Sequence, residues 1–502
     1  MNTSQAAALP ENIIEALTAP KFWGQWFRDL NTWSAWFSFL KTTFALPLTD
    51  EDRALYQRCT GRTLSLAAVV REVWLICGRR AGKTRIAACI AAYLAVFGRW
   101  ASHLAPGERA SILLIAADRK QARVAMRYLR SLFVDHRGGL SRLIMGETQE
   151  TITLRNRVQI EVATGSFRTT RGYTLAAVIC DEIAFWRADE GSANPAAEII
   201  SALRPALATM PGSLLIALSS PYARRGPLWE AYRKHYGRDG DPVLVWKADT
   251  RTMNPTVPES VIAEAYENDP AAAAAEFGAE FRTDVETFIA REVVEAAVVP
   301  GRFELAPVVG PRYVAFVDPS GGSADAMTLA IAHRDRAENR AILDAVRERR
   351  PPFSPEAVVG EFADVLKAYR VSTVTGDRWG GEFVREPFRR HGIKYELSDK
   401  SKSDLYRDVL PVLNSGKAEL LDLPRLVAQL TSLERRTTRG SGRDVIDHPP
   451  LGHDDIANAV CGALLLAEGG RQPLMITREM VARATLAGPR GAMHRMPVFF
   501  GR

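Results

Sequence analysis

The chain of 502 residues is poor in the residues that build covalent or metal-clipped frameworks. Its five cysteines, Cys59, Cys77, Cys89, Cys180 and Cys461, are scattered and form no Cys-x-x-Cys pair. That pattern argues against a disulfide scaffold or a cysteine zinc site and for a reducing compartment. The eight histidines show no metal-ligand spacing either. No uncharged apolar run reaches the roughly 18 residues of a membrane span, so none is expected. The start lacks the basic-then-apolar pattern of a secretion signal, and a cytoplasmic location is the expectation. After Pro221 no second phosphate-loop motif occurs. What remains is a globular composition, 47% hydrophobic and 25% charged, long enough for two to four domains. The net charge of +7 favours a polyanionic partner.

The stretch Val73-Trp74-Leu75-Ile76-Cys77 is an apolar strand, followed by Gly78-Arg79-Arg80-Ala81-Gly82-Lys83-Thr84 and an Ala-rich helix to about Phe97. This is a phosphate-binding loop. Glycines let backbone N–H groups close on an anion, and the new helix points its positive end at it. Lys83 is placed to reach the β- and γ-phosphates of ATP and Thr84 to hold Mg²⁺. The usual first glycine is displaced: Cys77 stands there and Gly78 follows one place late. Gln57, upstream, occupies the place where many translocating ATPases read adenine.

Two further apolar strands end in chemistry. Ala176-Ala177-Val178-Ile179-Cys180-Asp181-Glu182 delivers two adjacent acids, one for the metal (Asp181) and one to orient the attacking water (Glu182). Ser213-Leu214-Leu215-Ile216-Ala217-Leu218-Ser219-Ser220-Pro221 ends in hydroxyls, as do strands that sense a γ-phosphate. With Ser111 to Ala117 as another buried strand, residues 70–250 read as a doubly wound α/β domain with its ligand at the strand carboxyl ends.

A second domain is expected from about Arg312, in the order β-β-β-α-β-α. Tyr313 to Asp318 and Val371 to Asp377 are strands ending in acids, and Asp454-Asp455 opens a helix. Carboxylates that converge in a sheet repel unless cations neutralise them, and two Mg²⁺ or Mn²⁺ ions would form a phosphodiester-cleaving clamp. Arg378, Arg385, Arg389, Arg390, Arg435, Arg436, Arg439 and Arg443 suit contact with a nucleic-acid backbone. The expected organisation is an aromatic-rich helical lead (1–48), a first domain (49–285), a linker (286–311), a second domain (312–470) and a basic tail (471–502).

Taken together, these pieces resemble the large terminase subunit of tailed bacteriophages, the DNA-packaging motor. The likeness rests on Gly78 to Thr84, Val178 to Glu182, Ser219-Ser220-Pro221, Asp318-Pro319-Ser320-Gly321-Gly322, Asp377 and His453-Asp454-Asp455. It implies a RecA-like P-loop ATPase domain followed by an RNase H-like nuclease domain. It implies Asp181 on the metal and Glu182 as the catalytic carboxylate. Arg79 or Arg80 would act on the γ-phosphate, with Arg171 the other candidate. Asp318, Asp377 and Asp455 would be nuclease metal ligands, Asp454 the lesser choice between neighbours, and Asp325 and Asn458 would assist. The implied partners are double-stranded DNA, a portal protein, a small terminase subunit and further copies in a ring, commonly of five, with no membrane and in the host cytoplasm. A cellular helicase–nuclease is the alternative, though it would be expected to carry a second RecA-like domain. A non-hydrolysing P-loop scaffold is the other, opposed by the intact Lys83, Thr84, Asp181 and Glu182.

Overall fold

The computed structural model describes residues 9–64, 69–134, 139–165, 172–186, 195–323, 325–377, 382–437, 444–450 and 452–469. Eight strands form the first sheet: β1 (Glu72–Cys77), β2 (Ala110–Ala116), β3 (Ile144–Glu147), β4 (Thr151–Leu154), β5 (Val158–Thr164), β6 (Thr174–Asp181), β7 (Leu214–Ser219) and β8 (Val243–Ala248). Their order is β3-β4-β5-β2-β6-β7-β1-β8. From β5 to β8 every pairing is parallel, and β3 and β4 add an antiparallel edge. The central strands are apolar throughout because both faces are covered. Val73, Leu75 and Cys77 join the core that holds the helix Lys83–Phe97, while Trp74 and Ile76 join the one that holds the helices Pro195–Ala208 and Gly226–His235. The strand with the double serine, β7, therefore lies between the phosphate-loop strand β1 and the acid-ending strand β6.

The aromatic lead packs onto this sheet. Its helices Ile13–Thr18 and Ser34–Thr43 join the core under the Lys83–Phe97 helix. The helical lead is realised at Trp36 and Phe37, within Ser34–Thr43, but Gly24–Trp26 is a single 3-10 turn. The indole N–H of Trp23 donates to Leu132 O at 2.8 Å, and that of Trp36 to Ala81 O at 2.8 Å. Both rings are fully buried, and these bonds satisfy their polar edges.

After β9 (Val285–Thr287), the second main sheet is built from β10 (Tyr313–Asp318), β11 (Met327–Asp335), β12 (Arg340–Arg349), β13 (Thr373–Gly376), β14 (Lys394–Leu397) and β15 (Ala418–Glu419). The order is β14-β13-β10-β11-β12-β15. β10, β11 and β12 form an antiparallel meander, and β13 and β14 run parallel to β10. This is the expected RNase H-like arrangement of three antiparallel strands followed by parallel ones. The helix Asp455–Glu468 covers the face carrying Phe316, Ala330 and Leu343. Gly462 permits that approach, because a Cβ there would lie 2.3 Å from the Phe316 ring. The opposite face is covered by the helix Pro355–Ala368.

A small sheet of order β17-β16-β9 joins β16 (Glu434–Thr437) and β17 (Asp444–Asp447) to β9. The span expected as a linker, 286–311, is structured at its start. It contains the end of β9 and the helix Arg291–Ala297, and buries Ile289, Val294 and Ala297 in the second core. These apolar residues sit between breakers in the sequence, which hid their common face. Glu434 is fully buried; it accepts from Tyr222 Oη at 2.6 Å and pairs with Arg225 and Arg436. Tyr222 and Arg225 follow β7, so this carboxylate joins the two sheets' units. Among the described residues, no helix is long and apolar enough to cross a membrane.

Candidate functional site

The loop between β1 and the Lys83–Phe97 helix is held from outside. Thr250 Oγ1 donates to Arg79 O at 2.8 Å, Asn254 Nδ2 to Arg80 O at 2.8 Å, and Trp36 to Ala81 O. Gly78 could carry no side chain, since a Cβ would lie 2.2 Å from Thr250 Oγ1. Gly82 adopts φ +100°, the left-handed region that favours glycine. The displaced glycine thus serves a close approach that Cys77, buried in the strand, does not have to make.

Lys83 is buried, with Nζ donating to Cys77 O at 3.2 Å, Gly78 O at 3.1 Å and Ser220 Oγ at 2.8 Å. Glu182 Oε1 lies 3.3 Å from the same nitrogen. Glu182 Oε2 accepts from Ser219 Oγ at 3.1 Å and from Ser220 N–H at 3.2 Å. Its backbone is left-handed at φ 51°, which turns it away from the line of β6. Thr84 Oγ1 donates to Asp181 Oδ2 at 2.6 Å. The other oxygen, Asp181 Oδ1, is buried with no hydrogen-bond partner among the described residues. Burial, then the Glu182 charge, pushes the Asp181 carboxyl up to about 7 against the opposing pull of Thr84 and Lys83. A carboxylate left short of positive charge beside a hydroxyl fits a magnesium ligand pair.

The other residues expected at this site divide. Arg79 is engaged with Glu276 at 3.0 Å. Arg80 is exposed, and among the described residues its side chain makes no hydrogen bond or ion pair. Gln57 is exposed and donates to Thr63 O at 3.3 Å, with no hydrogen bond to the loop. Arg171 lies outside the described residues.

On the second sheet, Val317 pairs with Gly376 in parallel register, so Asp318 and Asp377 follow side by side at the strand ends. Asp318 shares the face of Phe316, beneath the Asp455–Glu468 helix. Burial pushes its carboxyl well above the usual range; a hydrogen bond from Asn458 opposes this, while Asp455, Asp454 and Asp377 add to it. Asp455 is pushed up to about 6 by burial, then by Asp454, Asp325 and Glu348, with Arg425 opposing. Among the described residues, the buried Asp455 Oδ2, Asn458 Oδ1 and Thr328 Oγ1 find no hydrogen-bond partner. Cross-strand pairing places Asp318 opposite Thr328, and Thr328 opposite Glu348. Uncompensated acids with orphaned oxygens fit divalent cations.

The neighbouring aspartates differ in their partners. Asp454 accepts from Tyr406 Oη at 2.7 Å, and its Oδ2 lies 2.9 Å from Lys402 Nζ. Among the described residues, no lysine stands against Asp455 in this way. Lys402 also reaches Asp447 at 2.8 Å. Among the described residues, the one group of three acid, histidine or cysteine ligand atoms all within 4.8 Å is Asp447, His448 and Asp454. Asp318, Asp377 and Asp455 are not gathered that tightly. A pair of ions about 4 Å apart has a wider ligand shell than a single ion. Asp325 is exposed, 3.7 Å from His453.

Lys402, Tyr406, Glu348 and Arg425 were not singled out by sequence. The one signal was the helix start Ser401-Lys402-Ser403-Asp404, a capping box, which puts Lys402 and Tyr406 one turn apart. Several expected DNA-contacting arginines are paired within the chain: Arg389 with Glu386, Arg390 with Glu356, Arg435 with Asp444 and Arg436 with Glu434. Arg385 lines a surface pocket with Arg389, Lys394 and Tyr395, and Tyr395 Oη donates to Asp377 O at 2.9 Å. Arg378, Arg439, Arg443 and the tail from 470 lie outside the described residues.

No family model and no curated protein matches the chain. Similar solved structures include the large terminase of bacteriophage HK97, at 17% identity and a TM-score of 0.36, over 83% of this chain and 99% of that one. A large terminase from a thermophilic bacteriophage is similar at 13% identity and a TM-score of 0.34, over 90% of this chain and 97% of that one. The large terminase nuclease of another thermophilic phage, G20c, is similar at 18% identity and a TM-score of 0.30, over 34% of this chain and 94% of that one.

Proposed function

We propose that the chain is an ATP-driven translocase of double-stranded DNA that also carries a metal-dependent endonuclease, the large subunit of a phage packaging motor. One observation carries this reading: a phosphate loop with its lysine, threonine and two acids shares a chain with a second, separate set of acids, of which Asp318 and Asp455 have raised carboxyls. Thr84 and Asp181 would hold the Mg²⁺ that accompanies ATP, and Lys83 would bind its β- and γ-phosphates. Glu182 orients the attacking water, held in place by Ser219 and the Ser220 N–H. Arg80, exposed and without a partner among the described residues, is better suited than the tethered Arg79 to meet transferred charge.

In the second site Asp318, Asp377 and Asp455 would hold Mg²⁺ or Mn²⁺, and Asn458 orients Asp318. Ions bound there supply an activated water and stabilise the charge that develops on a cleaved phosphodiester. Asp454 stays with Lys402 and Tyr406. The partners proposed are concatemeric DNA, a portal, a small subunit and further copies of the chain in a ring.

Purified protein incubated with supercoiled plasmid and Mn²⁺ tests the nuclease, and DNA-stimulated ATP hydrolysis tests the motor. Cleavage lost in Asp318→Ala and hydrolysis lost in Glu182→Gln are expected. Equal cleavage by wild type and Asp318→Ala would remove the site assignment. Nucleotide binding without turnover in the wild type would favour the scaffold reading.

A further inference from the structure

The trio Asp447, His448 and Asp454 has the donor set and spacing of a divalent-cation site, and a side chain already sits in it. Asp447 ends β17 and Asp454 precedes the Asp455–Glu468 helix. Ligand atoms of all three residues lie within 4.8 Å of one another. His448 is oriented as metal-binding histidines are. Its Nδ1 is 2.8 Å from Pro449 O. A carbonyl only accepts, so the proton of the neutral ring is assigned to Nδ1 and Nε2 keeps its lone pair. A backbone carbonyl behind the ring is a common support of a ligating imidazole.

Lys402 Nζ stands among these groups, 2.8 Å from Asp447 Oδ1 and 2.9 Å from Asp454 Oδ2. Its helix cannot drift away, because Ser403 Oγ donates to Ile446 O at 2.9 Å and accepts from Ile446 N–H at 3.1 Å. One turn on, Tyr406 Oη donates to the same oxygen, Asp454 Oδ2, at 2.7 Å.

We propose that Asp447, His448 and Asp454 form a second cation seat beside the nuclease acids, and that Lys402 fills it with its own ammonium and so confines divalent ions to Asp318, Asp377 and Asp455. Lysine supplies one positive charge where a divalent ion supplies two. It cannot be chelated away, and it keeps Asp454 out of the neighbouring site. Lys402 is thus a positioning residue that governs which acids meet metal. The consequence for cleavage rests on the nuclease reading; the seat itself does not.

The test counts bound Mn²⁺ by titration calorimetry on the full chain. Lys402→Ala should bind one Mn²⁺ more than wild type, and the extra ion should vanish in the double variant with His448→Ala. Cleavage by Lys402→Ala should fall about tenfold or more, as for other residues that orient metal ligands. A folded Lys402→Ala with the wild-type ion count would overturn the proposal. Where truncation prevents folding, Lys402→Met keeps the stem and is titrated likewise; failure of both to fold even in Mn²⁺ would equally overturn it. A wild type that binds no Mn²⁺ would sink the nuclease site, while a gain of one ion in Lys402→Ala would leave the seat standing.

Discussion

Ser220 Oγ accepts a hydrogen bond from Lys83 Nζ at 2.8 Å, which fastens the end of β7 to the phosphate loop. The preceding Ser219 holds Glu182. Two consecutive hydroxyls therefore divide their attention between the residue that would grip phosphate and the one that would orient water. This follows from the strand order, with β7 between β1 and β6.

Ser220→Ala should lower the ATP turnover number about tenfold, the effect of losing a hydrogen bond to a charged group. The steady-state kcat and KM for ATP provide the check. An unchanged kcat would show that the contact plays no part in turnover.

The raised carboxyls predict how metal-free stability varies with pH. A carboxyl whose folded pKa lies above its unfolded value binds extra protons in the folded state. Stability from that group is full below the unfolded pKa, near 4, and falls as pH rises through the folded one. For Asp455, at about 6, and Asp181, at about 7, the fall spans roughly pH 4 to 7. Asp455→Asn should therefore stabilise the chelator-treated protein at pH 7.5, by on the order of 1–3 kcal/mol. Thermal melts with and without Mg²⁺ measure it; a lower Tm for the variant in chelator would contradict it.

Asp454 and Asp455 should separate cleanly on substitution. Asp455→Asn should abolish plasmid cleavage while leaving the fold intact. Asp454→Asn should act first on stability, costing about 2–4 kcal/mol because Lys402 loses one of its two carboxylate partners. Urea unfolding and cleavage assays on both variants decide the matter, and equal stability of the two would count against the division of roles.

Gly462→Ala should cost about 1–3 kcal/mol, since its Cβ would press on the Phe316 ring and the helix must lift from the sheet. That helix carries Asp455 and Asn458, so cleavage should fall further than stability alone explains. A fully active Gly462→Ala would show that the helix tolerates displacement.

Strand ends were the most legible part of the sequence. An apolar run closing on Asp181-Glu182 or Asp318 declares a buried strand and where it stops, because burial on two faces leaves no alternation. The choice between Asp454 and Asp455 was not legible. At a helix start adjacent residues point in different directions, and their partners, Lys402 and Arg425, come from distant segments. Glu348 was hidden for a similar reason: in Arg347-Glu348-Arg349-Arg350 it reads as a solvated strand end, yet cross-strand pairing sets it in a row with Asp318. The helix Arg291–Ala297 was lost among breakers, since its apolar face is defined by the core it joins.

The docking of the aromatic lead has a consequence for synthesis. Phe39 meets Trp246, ring centroids 5.5 Å apart, and Trp23 meets Leu132. The ribosome makes the lead before its seat. At roughly 5–20 residues per second, the interval between Phe39 and Trp246 is roughly 10 to 40 s. Throughout that interval Phe39 lacks its partner ring, whereas Trp36 and Trp23 wait only for the earlier Ala81 and Leu132, so Phe39 is the aromatic of the lead that the nascent chain leaves uncovered longest.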